Sequence, residues 1–277
     1  MKKKILSFLQ IIISIFFIYY TFSKIDLTTL IKIFSNLNII PLIFVPIVYF
    51  LSQIISAERL KYIFSQNNLQ ISFSSNLKLY LIGMFYNFFL PGAVGGDAYK
   101  GYLINRDFKW GLKKTFKLLL LDRAIGFGVL ICLLVLLDQN LFIKINLLIK
   151  FLIFISFFII GYFLVKKIFK NEKTYFISFG YSIIIQLFQF LSIFIILYSL
   201  GIDGNLIAVL YVFILSSMFS VFSFGGIGIR EYIFLISASS ININPEIATS
   251  IGLIFTICCA VSSIPGLYYL IRKPKLI

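Results

Sequence analysis

The sequence predicts an all-α polytopic membrane protein, and three observations support this. The chain is 60% hydrophobic, with a mean hydropathy of +1.02. Several apolar runs reach the roughly 20 residues that a helix needs to cross a bilayer. Charged residues make up only 13% of the chain and cluster between those runs. We therefore expect one integral membrane domain over 1–277, without a segment polar enough to form a soluble catalytic domain.

About eight hydrophobic segments follow one another along the chain. Six are predicted to cross the bilayer fully, at 5–22, 39–57, 118–137, 147–165, 175–200 and 247–271. The first follows three lysines but has no small-x-small cleavage site, so we interpret it as a retained span and not as a signal peptide. Two further apolar stretches, 79–104 and 205–240, are interrupted by glycine-rich breaks.

The basic residues indicate the orientation of these segments. Lysine and arginine accumulate in cytoplasmic loops, so Lys2, Lys3 and Lys4 place the N-terminus inside. Both flanks of 79–104 are basic, with Lys78 on one side and a group from Lys100 to Lys117 at the cytoplasmic boundary on the other. This favours a re-entrant hairpin that enters and leaves from the cytoplasm. With the basic C-terminal tail also inside, 205–240 becomes a hairpin that enters from the opposite face. The alternative is that both stretches are ordinary crossing helices with glycine-rich packing faces.

The segment order predicts an inverted repeat. Units of similar length, at about 1–137 and 147–271, each contain a span, a span, a broken hairpin and a span. The second unit has the opposite orientation to the first. This plan is typical of secondary transporters, which bind their substrates where broken helices meet near the bilayer midplane.

The composition argues against several functional classes. The chain has no histidine, which removes histidine-based acid–base catalysis and most zinc and haem sites. Its three cysteines lie in apolar runs without CxxC spacing. We therefore expect neither a metal nor a cofactor, and we assign no catalytic residue. The net charge of +15 comes from lysines and arginines between spans, so it indicates membrane topology and anionic lipid contact and not nucleic-acid binding.

The two breaks are the first candidate site. Pro91, Gly92, Gly95 and Gly96 interrupt the first stretch just before Asp97, and the second carries its own glycines, Gly225, Gly226 and Gly228. Non-helical backbone at membrane depth is tolerated only where protein or a water-filled cavity covers it. Helix N-termini that follow such breaks can direct N–H groups at an anion.

Charged residues at membrane depth are the second candidate. They form three doublets, Glu58-Arg59, Asp122-Arg123 and Arg230-Glu231, and Asp97 stands beside them. A central charge costs at least about 2.5–3.5 kcal/mol, so such residues face a cavity or pair with another charge. Neighbours on a helix point about 100° apart, which places their partners on other elements.

These charges admit a functional and a structural interpretation. One network across the two hairpins could join Asp97, Arg123, Arg230 and Glu231. Arginine suits phosphate because its planar fork binds two oxygens at once. In the functional interpretation the arginines meet a phosphate and the carboxylates orient them or carry protons. The alternative is static ion pairing that locks helices together.

These motifs resemble a flippase-like membrane family that includes the N-terminal half of bacterial, MprF-type lysylphosphatidylglycerol synthases. The most specific match is Leu-Pro-Gly-x-x-Gly-Gly-Asp, which ends at Asp97 and is preceded by Asn87. Asp122 stands where the family more often has glutamate. With the resemblance, the predicted substrate-binding residues are Glu58, Arg59, Asn87, Pro91, Gly92, Gly95, Gly96, Asp97, Asp122, Arg123, Gly225, Gly226, Gly228, Arg230 and Glu231.

The resemblance implies movement of a lipid between membrane leaflets. We expect the protein in the cytoplasmic (inner) membrane, with both termini on the cytoplasmic side as the basic residues indicate. The best-known members move aminoacylated phosphatidylglycerol, which their own cytoplasmic synthase domain makes. Residues 1–277 show no such domain, so we do not expect an enzyme here. The expected partners are membrane lipids with an anionic or zwitterionic headgroup, polyprenyl phosphates and glycolipids included. The alternatives are a membrane component of a lipid-modifying transferase and a scaffold for a separate lipid synthase.

Overall fold

The computed structural model describes residues 2–89, 95–139, 146–168, 173–202, 204–272 and 276, and the side chains of 2–8 and 168 are left aside. The described residues form helices and short connections, as predicted. The first seven helices are α1 (Lys2–Lys24), α2 (Leu27–Ser35), α3 (Ile39–Leu42), α4 (Phe44–Ser65), α5 (Phe73–Phe89), α6 (Gly95–Phe108) and α7 (Leu112–Leu137). The others are α8 (Leu147–Ile168), α9 (Lys173–Ser199), α10 (Leu206–Phe219), α11 (Ile229–Ser237), α12 (Pro245–Ser263) and α13 (Pro265–Ile271), with a 3₁₀ turn at Ser220–Phe222.

The protein is a multi-pass membrane protein by the length and hydropathy of its helices. In the part of the chain that the structure describes, five helical stretches are long and apolar enough to cross a bilayer: Ile39–Ser65, Leu112–Leu137, Leu147–Lys167, Lys173–Ser199 and Pro245–Ile271. They match five of the predicted spans. The sixth, 5–22, lies within α1, which bends by 89° into α2 and counts as a span only if the bent pair does.

The helices run further than the predicted spans where charged residues continue them. The helix predicted to end at 57 continues to Ser65, with Glu58 and Lys61 paired one turn apart at 3.4 Å. The span predicted from 118 begins at Leu112, and its first turns carry lysines. For these two spans, the apolar part was predicted correctly and the polar extension was not predicted.

The first interrupted stretch forms two antiparallel helices. A methyl group added at Gly83 would meet Lys100, and one added at Gly96 would meet Asn87, so α5 and α6 run in opposite directions. Their lengths of 17 and 14 residues are short for a full crossing. Residues 90–94, and with them Pro91 and Gly92, lie outside the described residues.

The second interrupted stretch also breaks into short helices. The 14 residues of α10 lead into the 3₁₀ turn, and the 9-residue α11 follows the glycine segment. The predicted order of helix, break and helix is therefore confirmed for both stretches. Their re-entrant path and the inverted repeat stay predictions, because no membrane surface is defined.

Two apolar clusters hold the helices together, and α4 belongs to both. Val45 packs into a cluster built mainly from α9 to α12. Leu60, Ile63 and Phe64 pack into a second cluster with α5, α6 and α7. Between these ends of α4 lie Tyr49 and polar residues that face a cavity. The cavity therefore lies between the two apolar clusters.

Candidate functional site

A cavity of about 680 Å³ contains most of the predicted site. Its lining includes eight of the predicted residues: Arg59, Asn87, Asp97, Asp122, Arg123, Gly225, Gly226 and Arg230. Glu58, Gly95, Gly96, Gly228 and Glu231 do not line it. The two interrupted stretches therefore meet at one site, although the sequence separates them by more than a hundred residues.

Arg59 and Asp122 form a bidentate ion pair that joins α4 to α7. Arg59 donates from Nε and Nη2 to the two Asp122 carboxylate oxygens at 2.8 and 3.1 Å. Its Nη1 donates to Ser182 Oγ on α9 at 2.7 Å. Both charged side chains are at most 10% exposed. The pair therefore joins three helices around one guanidinium, each of whose three nitrogens donates a hydrogen bond.

Asp97 lies between two cations. One carboxylate oxygen accepts a hydrogen bond from Arg123 Nε, and the other lies 3.6 Å from Lys100 Nζ. The Lys100 ammonium also lies 4.1 Å from the centre of the Tyr80 ring, a cation–π contact. The Arg123 side chain remains 44% exposed, in contrast to the buried Lys100. Asp97, Lys100, Arg123, Arg59 and Asp122 are called the amino-terminal cluster below.

Arg230 is held differently. Its Nη1 donates to Thr256 Oγ1 at 2.8 Å, and that hydroxyl donates to Glu231 Oε1 at 2.7 Å. The guanidinium lies 5.0 Å from the centre of the Phe255 ring. No ion pair joins Arg230 to a carboxylate in the described part of the chain, and its buried Nε has no hydrogen-bond partner there. Arg230, Glu231 and Thr256 form the carboxyl-terminal cluster.

The glycines shape the backbone around both clusters. Gly225, Gly226 and Gly228 have φ values of +60°, +84° and +87°, which other residues rarely adopt. A methyl group at Gly96 would overlap the Gly83 carbonyl oxygen and Asn87 Oδ1. Gly96 therefore lets α5 and α6 approach closely. Gly225 and Gly226 line the cavity, whereas Gly96 and Gly228 do not.

Two backbone N–H groups that we expected to face an anion are already bonded within the protein. Gly96 N–H donates to Asn87 Oδ1 at 3.0 Å. Gly228 N–H donates to Glu231 Oε2 at 2.7 Å, which caps the start of α11. The expectation that these N-termini present free donors is therefore wrong at these two positions, because a nearby side chain satisfies each one.

The four charges that we expected to form one network, Asp97, Arg123, Arg230 and Glu231, form two separate ones. Asp97 pairs with Arg123, while Arg230 connects to Glu231 through Thr256, and no hydrogen bond or ion pair of the described residues links the two groups. Glu58 lies apart, in a half-exposed pair with Lys61. Our expectation that the partners of doublet residues lie on other elements is confirmed for Arg59, Asp122 and Arg123.

The sequence analysis missed several lining residues. Lys100 was assigned to the cytoplasmic boundary, yet it is buried against Asp97. The signal was its position three residues after Asp97, which places both on one face of α6. Ser178, Ser182 and Gln186 recur at every fourth position of the otherwise apolar α9, and this spacing predicts a polar helix face. Gln186 lines the cavity, and its buried Oε1 has no partner among the described residues.

The donor set of the cavity suits an anion better than a metal. Four cations and two carboxylates line it. Among the described residues, no three His, Cys, Asp or Glu side chains gather closely enough to hold a metal ion. Guanidinium and ammonium groups donate hydrogen bonds and accept none. A phosphate or carboxylate is therefore the ligand class that this chemistry favours.

The chain belongs to the family described as lysylphosphatidylglycerol synthase TM region, whose model matches residues 7–169 and 147–266. This membership agrees with the resemblance read from the sequence motifs. It identifies the chain as a membrane protein related to lipid synthesis or transport. No curated protein matches the chain.

Proposed function

We propose that this protein moves a lipid with an anionic or zwitterionic headgroup between the leaflets of the cytoplasmic membrane. One observation carries the proposal: a single cavity is lined both by buried cations and by apolar side chains on the outer surface of the helices. An amphipathic ligand requires both surfaces. A small soluble anion would require only the first.

The apolar part of the cavity wall faces outward. Leu120, Ala124 and Phe127 line the cavity from one face of α7, and Leu120 is 66% exposed. The 3₁₀ turn contributes Val221 and Phe222, of which Phe222 is 61% exposed. Exposed apolar side chains of a membrane protein contact lipid tails. A headgroup could therefore enter the cavity while its acyl chains remain among the surrounding lipids.

The polar part of the wall suits the headgroup. Arg230 is only 6% exposed, and its Nε lacks an acceptor among the described residues. A buried donor without a partner is costly, and a phosphate oxygen would satisfy it. Arg123 offers a second guanidinium, which is half-exposed and lines the same cavity. Asp97 and Glu231 then compensate the positive charge while the cavity is between substrates.

The proposed orientation follows from the basic residues. Lys113, Lys114 and Lys117 lie exposed on the first turns of α7, and Lys61 lies near the end of α4. These positions fit cytoplasmic helix ends under the positive-inside rule. We place both termini on that side. The interrupted stretches would then enter the bilayer from opposite faces and meet at the cavity.

Reconstitution into liposomes tests the transport function. The purified protein is placed in vesicles that contain a trace of fluorescent phosphatidylglycerol, and an impermeant reductant reports the fraction of probe that reaches the outer leaflet. We expect faster transbilayer movement with the wild type than with empty vesicles. Arg230→Gln should reduce the rate at least about tenfold, whereas Arg272→Gln, at an exposed residue stacked on Tyr268, should leave it unchanged. Equal rates in all vesicles would contradict the proposal.

The family description favours a second candidate, a membrane component that acts together with a separate lipid synthase. This candidate includes a role as part of a lipid-modifying transferase. It requires a stable complex with the synthase, and the protein alone would then move no lipid. Purification under mild detergent, followed by identification of partner proteins and by the vesicle assay, separates the two candidates.

A further inference from the structure

We infer that the cavity selects headgroups with a net negative charge, such as an uncompensated phosphate. Zwitterionic headgroups and cationic aminoacylated headgroups should bind less tightly. This inference rests on the proposed movement of lipid between leaflets. The charged residues that line the cavity do not balance. Arg59, Lys100, Arg123 and Arg230 line the cavity against Asp97 and Asp122, which leaves two positive charges in excess. Glu231 lies behind Arg230 and lowers this excess to one. The site is therefore electropositive under either count.

The carboxylates of the cavity are already occupied. Asp122 accepts from Arg59 with both oxygens, at 2.8 and 3.1 Å. Each oxygen of Asp97 faces a cation, Arg123 on one side and Lys100 on the other. A lysyl headgroup brings ammonium groups, which need acceptors. Both cavity carboxylates already face cations, so a bound ammonium would lie close to Arg59, Lys100 or Arg123 and be repelled by it.

The unpaired N–H donor of Arg230 favours an anionic ligand. Arg230 Nε is buried and has no partner among the described residues, and Arg230 lines the cavity directly. Thr256 and the Phe255 ring hold the rest of the guanidinium, so its plane is fixed before a ligand arrives. A fixed guanidinium suits phosphate oxygens because less conformational freedom is lost on binding.

The uncharged polar lining does not change this preference. Gln186 Oε1 is a buried acceptor without a partner among the described residues. One amide oxygen can receive a headgroup hydroxyl, such as that of a glycerol or a sugar. It cannot neutralise an ammonium group. The lining therefore matches a negatively charged phosphate that carries hydroxyl groups better than one that carries amines.

Binding in detergent tests the charge class without requiring transport. The thermal stability of the purified protein is measured against increasing concentrations of four dioctanoyl lipids: phosphatidic acid, phosphatidylglycerol, phosphatidylcholine and lysylphosphatidylglycerol. A ligand that binds the folded state raises the melting temperature with its concentration, which yields an affinity. We expect the two anionic lipids to bind at least about tenfold more tightly than phosphatidylcholine, with the lysyl lipid weakest.

Matched variants locate the preference in the cavity. Arg230→Gln should weaken phosphatidylglycerol binding about tenfold and phosphatidylcholine binding by a smaller factor, because the choline ammonium already offsets the phosphate charge that Arg230 would meet, whereas Arg272→Gln should change neither. Arg123→Gln serves as a second variant because Arg123 is half-exposed and Lys100 still neutralises Asp97 in its absence. It should weaken phosphatidylglycerol binding by a similar factor, so the test does not depend on the folding of one variant.

The outcomes separate this inference from the proposed function. If phosphatidylcholine or the lysyl lipid binds as tightly as phosphatidylglycerol, the charge selectivity is wrong even when the vesicle assay shows transport. The same conclusion follows if both arginine variants weaken all four lipids equally. If the anionic lipids are preferred but no lipid moves in vesicles, the inferred ligand class stands and the proposed transport is wrong.

Discussion

The amino-terminal and carboxyl-terminal clusters accommodate a buried arginine in different ways. Both bury arginine at the boundary between the two apolar cores. In the first, Arg59 meets a carboxylate directly through two hydrogen bonds. In the second, a threonine hydroxyl separates Arg230 from Glu231, and Arg230 Nε lacks an acceptor among the described residues.

This difference suggests that the two arginines have different roles, one in stabilising the fold and the other in binding a ligand. Buried ions are retained at a cost of several kcal/mol each unless partners satisfy them, and Asp122 does this for Arg59. Arg230 is satisfied only in part, so its remaining donor capacity is available to a ligand. We therefore expect the direct pair to hold helices together and the indirect one to bind. The following variants test this contrast, from the largest expected effect to the smallest.

The largest effect should come from Asp122→Asn, which leaves Arg59 buried without a carboxylate. Breaking one partner of a buried pair costs about 3–5 kcal/mol of stability. Chemical unfolding in detergent, followed by Trp110 fluorescence, measures this loss. Trp110 is the only tryptophan of the sequence. It packs against Phe64 in the apolar cluster of α4 to α7, so its emission reports on the unfolding of that cluster.

Two further variants check the cause of that loss. Glu58→Gln removes the partner of Lys61 from a half-exposed pair and should cost at most about 1 kcal/mol. The double variant Arg59→Met/Asp122→Leu removes both buried charges and should recover most of the lost stability. If Asp122→Asn costs no more than Glu58→Gln, the amino-terminal cluster is not the stabilising one.

Thr256→Val should be next, because it removes the hydroxyl that connects Arg230 to Glu231. The Thr256 hydroxyl bonds a charged group on each side, and we expect its removal to cost about 1.5–3 kcal/mol in total. Headgroup affinity should change as well, since Arg230 loses its fixed orientation. Thr249→Val is the matched control on the same helix, because the Thr249 hydroxyl donates only to the Pro245 carbonyl. Equal behaviour of the two variants would contradict a positioning role for Thr256.

Gly96→Ala tests the close approach of α5 and α6 that brings Asp97 to the cavity. The added methyl group would overlap the Gly83 carbonyl oxygen, and such overpacking typically costs about 1–3 kcal/mol. Gly95→Ala is the control, because no neighbouring atom of the described residues lies within 4 Å of its added carbon. The same unfolding measurement should show a larger loss of stability for Gly96→Ala than for Gly95→Ala. Similar losses for both variants would show that α5 and α6 are not closely packed at Gly96.

The smallest effect on stability should come from Gln186→Met. Its Oε1 has no partner among the described residues, so removal of this acceptor should change stability by less than about 0.5 kcal/mol. One turn earlier on α9, Ser182→Ala would leave Arg59 Nη1 without its acceptor and should cost about 1–3 kcal/mol. A large loss for Gln186→Met would mean that Gln186 supports the fold and not the ligand.

The sequence alone determined the fold class, the approximate position of the spans and the location of the two breaks. Apolar run length and helix-breaking residues are local properties, and a bilayer imposes a fixed length on them. Five predicted spans recur within the observed stretches, and α6 begins at Gly95, inside the first predicted break. Intramembrane charge also identified Asp97 and Arg230, because such residues seldom occur at that depth without a partner or a cavity.

Only the tertiary structure decided which charges meet. Arg59 and Asp122 are 63 residues apart, and nothing near either one specifies the other. Lys100 was placed at the membrane boundary because its burial depends on the packing of α5 against α6. Thr256 carried no local signal, since a hydroxyl in an apolar helix usually bonds its own backbone. Partner choice depends on how helices pack, and packing is a property of the whole chain.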